Sequence, residues 1–255
     1  MDLNLTGRIA IITGGSKGIG RAAALRFVEE GASVLICARN RDSLDETVGL
    51  AKLGGEAQID SIEADLTRIE DIERVIARCV ARFGGIDILV NNAGSARTGD
   101  FSELSDQAWQ DDWMLKFFGY VRAARQAFPH MRGRSGAVVV NVIGAAALRP
   151  SANYMIGGAI NAALNNFTKS LAAEGMRHGI RVTGINPGPI MTARLMRMFP
   201  KGTDPDTLNK ITPLGRPGKP EEVADLIAFL ASDRAAFIHA ANITIDGGSN
   251  PGLMG

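Results

Sequence analysis

The run Thr13-Gly14-Gly15-Ser16-Lys17-Gly18-Ile19-Gly20 has the residue types to hold a phosphate. Glycines let the backbone turn sharply and approach an anion. The helical pattern that follows offers free N–H groups and a partial positive charge at its first turn. Many turns need glycine, so the weight comes from the setting: an apolar run before the turn and a helix after it. Gly14, Ser16, Lys17, Gly18, Ile19 and Gly20 are the candidate contacts. The second apolar run ends at Cys37-Ala38-Arg39-Asn40-Arg41. A carboxylate at that place would accept a hydrogen bond from an adenosine ribose 2′-OH, whereas Arg39 suits a 2′-phosphate, with Lys17 adding charge. NADP is therefore favoured, with NAD as the alternative. The competing reading is that both cations are merely solvated. Further along, Asp65-Leu66 offers a carboxylate for an adenine amine, and Asn92-Ala93-Gly94 supplies small residues that let backbone approach a ligand. Tyr154 has an acidic hydroxyl at the start of a helical pattern. Ser151, one turn earlier, is either a hydroxyl donor or a helix cap. Trp109, Trp113, Lys116 and Tyr120 recur at helical spacing and share one face.

These residues need elements to hold them. Short apolar runs at residues 9–12, 33–37, 59–63, 86–90, 137–140, 181–185 and 242–245 read as strands buried on both faces. Helical patterns fall between them at 19–30, 43–53, 69–83, 105–131, 153–174 and 221–231, the fourth interrupted late by Pro129. Strands alternating with helices mean a parallel sheet covered on both sides, an α/β fold. Residues 187–220 break the rhythm with Pro and Gly. No linker divides the chain, so 1–255 reads as one domain.

Composition excludes several classes. The 255 residues are 45% hydrophobic and 22% charged with net charge +1, so no basic face for nucleic acid is implied. Cys37 and Cys79 lack metal spacing and sit in apolar surroundings, which suits buried free thiols in a reducing compartment. Neither a basic leader nor an apolar run of about 18–20 residues is present, so no membrane association and a cytoplasmic location are expected.

With these residues in view, the chain resembles the short-chain dehydrogenase/reductase family over essentially its whole length. The carriers are the glycine turn at 13–20, Asn91-Asn92-Ala93-Gly94, Tyr154, Asn186-Pro187-Gly188 and Asp246-Gly247-Gly248, in that order. The resemblance implies a single-domain Rossmann fold with a seven-stranded parallel sheet, and a homotetramer or homodimer. It also implies Pro187, Gly188 and Thr192 near a nicotinamide, and a substrate lid over 189–218. The content of Met191, Leu195, Met196, Met198 and Phe199 in that lid suits an apolar pocket. Tyr154 would be the general acid/base for a carbonyl/alcohol pair on a small or medium apolar substrate.

The catalytic set departs from the family pattern. The lysine four residues after the tyrosine is replaced by Gly158, and the serine at the end of the fifth strand by Gly144. The asparagine that the family carries seven residues after a tryptophan is Lys116, counted from Trp109. Our expectation is that Lys116 supplies the lost charge from another helix. The bland alternative is an exposed Asp112–Lys116 pair, worth a few tenths of a kcal/mol. Two other readings of the chain stay open: a catalytically silent dinucleotide-binding protein, and a 3-oxoacyl thioester reductase. Enoyl reductases of the family place a lysine further from the tyrosine, and Ala159-Ile160-Asn161-Ala162 contains none.

Overall fold

The computed structural model describes residues 2–53, 58–197, 199 and 202–250; of the lid residues singled out above, Met198 lies outside these. Seven strands form one parallel sheet: β1 Ile9–Thr13, β2 Ser33–Ala38, β3 Ile59–Glu63, β4 Ile88–Asn91, β5 Val138–Val142, β6 Arg181–Pro187 and β7 Asn242–Ile245. Their spatial order is β3-β2-β1-β4-β5-β6-β7. Every pairing is parallel. The apolar runs are continuous because both faces are covered, and alternate residues go to opposite cores. Ala10 and Ile12 join Phe27 and Ile227 on one face, while Ile9 and Ile11 join Ile72 and Ala127 on the other. This is the single-domain Rossmann architecture expected from the sequence.

The helices are α1 Gly18–Glu29, α2 Arg41–Lys52, α3 Ile69–Phe83, α4 Asp106–Asp112, α5 Gly119–Met131, α6 Met155–Met176, α7 Ala193–Met196, α8 Pro205–Asn209 and α9 Pro220–Ala231. The long helical pattern over 105–131 is continuous, but it is not α throughout. Ser105 caps it by accepting from the Ala108 N–H, and a π-helical segment, Trp113–Phe118, joins α4 to α5. The wider turn carries Lys116. Pro129 does not interrupt the helix, because it falls in the last turn and α5 runs on to Met131. The start of α6 is two residues later than the pattern suggested, since residues 152–154 form a 3₁₀ turn instead. No helix among the described residues is long and apolar enough to cross a membrane. Cys37 and Cys79 are buried free thiols, and burial pushes both up to about 12.

The winding reverses between β1 and β4. Their carboxyl ends, Thr13 and Asn91, therefore border the crevice where open α/β sheets take ligands.

Candidate active site

The glycine turn is pinned to the end of β4. The Thr13 hydroxyl accepts from the N–H groups of Asn92 and Ala93 at 2.9 and 3.1 Å, and Asn92 Nδ2 donates to the Thr13 carbonyl at 2.9 Å. Gly14 needs its left-handed backbone (φ 69°), and a side chain at Gly20 would overlap the Gly14 carbonyl. Thr47 of α2 and Arg21 both donate to the Ser16 carbonyl. Lys17 precedes α1 in extended conformation without capping it, which leaves the first N–H groups of that helix free of a side-chain cap. These features form a cradle that fits a pyrophosphate. Arg39 is exposed at the end of β2 and makes no ion pair among the described residues. Asp65 accepts from the Thr67 N–H and hydroxyl, and Leu66 is buried beside it.

Pro187 ends β6, and the Gly188 N–H donates to Ile245. The segment that follows is closed at its neck: Met191 N–H donates to Gly218 O at 2.7 Å, and Gly218 N–H to Pro189 O at 2.9 Å. Thr192 caps α7 by accepting from the Leu195 N–H. Its methyl sits 3.1 Å from where a Gly18 side chain would begin. A cleft of about 260 Å³ opens between the first half of α1, Met191–Ala193 and Pro220.

Tyr154 is half-buried where α6 begins, and its ring lies across Gly157, where any side chain would overlap it. Its hydroxyl accepts a 2.5 Å hydrogen bond from Arg194 of α7. The same guanidinium reaches Gly94 O at 3.4 Å and stands 5.6 Å from the centre of the phenol ring. Ser151 is exposed and its side chain makes no cap bond, so of the two uses considered for it the structure does not show the cap.

Lys116 is buried, not paired on the surface with Asp112. Asp112 instead accepts from the Arg97 N–H at 2.7 Å. Lys116 Nζ donates to Ile143 O at 2.5 Å and to Asn161 Oδ1 at 2.7 Å. One turn on, the Tyr120 hydroxyl donates to Val142 O, so the π-helical segment and α5 together grip the end of β5. The lysine stem runs over Gly94, where a side chain would come within 2.7 Å of it. Gly144 has φ 139°, and a side chain there would meet the Asn161 amide at 2.7 Å. Lys116, Asn161 and Gly144 thus meet in one place, with the Asn161 amide lying where a side chain at position 144 would go. Gly158 is different: a side chain there would meet only Ala146 O, at an ordinary 3.5 Å.

Burial, with repulsion from Arg194 adding to it, lowers Lys116 from 10.5 to about 7. The unfolded chain then holds a proton that the folded chain releases across that interval. Stability from this group therefore rises with pH between the two values and is lost as pH falls toward 7. Thermal unfolding of the wild type and Lys116→Met at a series of pH values checks this. The melting-temperature difference should shift in favour of the wild type as pH rises through that window. A difference independent of pH would refute the depressed ionisation.

Sequence reasoning missed Arg194, Asn161 and Gly157. Arg194 had one signal, its place two residues after Thr192, in a segment otherwise marked by its apolar residues. The other two left no local mark.

Comparison with known proteins follows from this geometry. The family profile described as enoyl-(acyl carrier protein) reductase matches residues 14–250. An uncharacterised oxidoreductase of Thermotoga maritima is 36% identical over 252 residues, covering 97% of this chain and 99% of that one. The chain belongs to the short-chain dehydrogenase/reductase family. Among solved members of the family, L-sorbose reductase from Gluconobacter frateurii, complexed with NADPH and L-sorbose, is 34% identical. It superposes with a TM-score of 0.94 over 99% of this chain and 100% of that one. A short-chain oxidoreductase from Pseudomonas aeruginosa described as containing an atypical catalytic center is 32% identical, with a TM-score of 0.91 over 97% and 98%. The chain is thus an oxidoreductase of the short-chain dehydrogenase/reductase type.

Proposed function

We propose that this chain interconverts a carbonyl and an alcohol on a small or medium apolar substrate, using NADP(H), with Tyr154 as general acid and base. One observation carries the reading: a single guanidinium ties the Tyr154 hydroxyl to the Gly94 carbonyl at the end of β4. The proton donor therefore faces the crevice that the glycine turn borders. In this reading the turn from Gly14 to Gly20 holds the pyrophosphate. Arg39 and Lys17 hold the 2′-phosphate, and Asp65 and Leu66 flank the adenine. Asn92, Ala93, Gly94, Pro187, Gly188 and Thr192 surround the nicotinamide. Residues 189–218 act as the substrate lid.

A bound nicotinamide supplies hydride to the carbonyl carbon. Tyr154 gives its phenolic proton to the oxygen, so the carbonyl becomes an alcohol and the phenol a phenolate that water reprotonates. Lys116 serves as a second, buried cation behind the site. The catalytic set is atypical because Gly158 and Gly144 replace two groups of the family pattern. The NADPH complex of the Gluconobacter relative supports the cofactor, and the Pseudomonas relative supports the idea that such departures occur within the fold.

Fluorescence titration with NADPH and NADH tests the cofactor half. Arg39→Asp should weaken NADPH binding by about ten- to hundredfold, the loss of a charge-assisted contact, and should spare NADH. Equal effects on both cofactors would refute the 2′-phosphate reading. NADPH oxidation with a carbonyl panel that includes L-sorbose tests the other half. Tight NADPH binding with no oxidation by any member would favour a silent binding protein.

A further inference from the structure

We propose that Arg194 is a positioning residue for Tyr154: a cation carried on α7 that stabilises the phenolate. This rests on the reading of Tyr154 as the proton donor. The argument begins with what each nearby cation is free to do. Lys116 has two of its three donors committed, to Ile143 O and Asn161 Oδ1, and its stem is fixed against Gly94. Its charge is also weakened near neutrality by burial. Arg194 keeps its charge at any accessible pH. It pairs with no carboxylate among the described residues, and it donates directly to the phenolic oxygen at 2.5 Å. A charge-assisted bond from a guanidinium to a phenolic oxygen favours the oxyanion. Tyr120 of α5, a further titratable group near Arg194, is fully buried and bonded to Val142 O.

The lid placement adds a consequence. Arg194 is the second residue of α7, whose cap Thr192 rests against Gly18 of the cofactor turn, and whose base is stitched at Met191 and Gly218. The cation therefore reaches Tyr154 from a segment that also touches the cofactor turn.

The test is NADPH-dependent reduction of a carbonyl panel, with kcat and KM read separately, in wild type, Arg194→Met, Arg194→Lys and Tyr154→Phe. NADPH affinity of each variant is measured by fluorescence. Arg194→Met should lower kcat by roughly tenfold or more with KM little changed, and Arg194→Lys should return most of that loss, with NADPH affinity changed less than severalfold. An unchanged kcat in Arg194→Met would overturn the proposal. So would NADPH binding more than tenfold tighter in that variant, which would mark Arg194 as a group that merely fills the nicotinamide site. Should Tyr154→Phe keep full turnover, the functional reading fails instead, whatever the arginine variants show.

Discussion

Replacing Tyr154 with phenylalanine is expected to lower kcat for NADPH-dependent carbonyl reduction by roughly a thousandfold, with NADPH affinity unchanged. The ring remains to pack over Gly157, and only the proton donor and the acceptor of the Arg194 bond are removed. Among the described residues the hydroxyl has no other hydrogen-bond partner, so its loss strands only a half-exposed guanidinium that can turn to solvent. Stability should therefore change little, and a drop in kcat with unaltered melting temperature is the signature. Stopped-flow hydride transfer and a thermal melt on the same preparation give both numbers. A variant that retains more than a tenth of wild-type kcat would show that the acid is another group.

The second large effect is at a residue that does no chemistry. Gly157→Ala places a methyl group where the ring and hydroxyl of Tyr154 now lie. The tyrosine must swing away from Arg194, and a misplacement of about 1 Å can cost on the order of a hundredfold in kcat. The same substitution replaces a glycine in the first turn of α6 by a better helix former, a gain of at most about 1 kcal/mol. The expected result is thus an enzyme at least as heat-stable as the wild type and roughly a hundredfold slower. Gly158→Ala is the control, because its methyl group meets only Ala146 O at van der Waals distance. It should keep wild-type kcat. Equal kcat values for the two alanine variants would show that the contact between Gly157 and Tyr154 is not needed for turnover.

The two glycines differ by one position and by nothing in type, and the sequence does not rank them. Gly158 is the one that the family resemblance singles out, because a lysine is expected there. The structure assigns the tighter constraint to Gly157, since the ring of Tyr154 folds back over the third residue after it. Lys116 shows the reverse. Its helical spacing with Trp109, Trp113 and Tyr120 pointed to a buried face, and it is buried. Spacing along one helix, however, says nothing about which acceptor on another element the ammonium meets. That acceptor is Asn161, 45 residues away.

What the sequence determined by itself was periodic or contiguous. Uninterrupted apolar runs separated by helical patterns require a parallel sheet covered on both faces. The glycine turn and Arg39 sit at strand ends that such a sheet must bring to one edge. These follow from the backbone, whose hydrogen bonds and steric limits act between near neighbours. What only the tertiary structure decided is the set of side chains that meet across elements. Arg194 reaches Tyr154 over 40 residues, and Lys116 holds Asn161, whose amide lies where a side chain at position 144 would go. Such contacts depend on the packing of loops and helix faces at sub-ångström scale, where one side chain's position is set by the volume of several others. No local pattern in the chain records that.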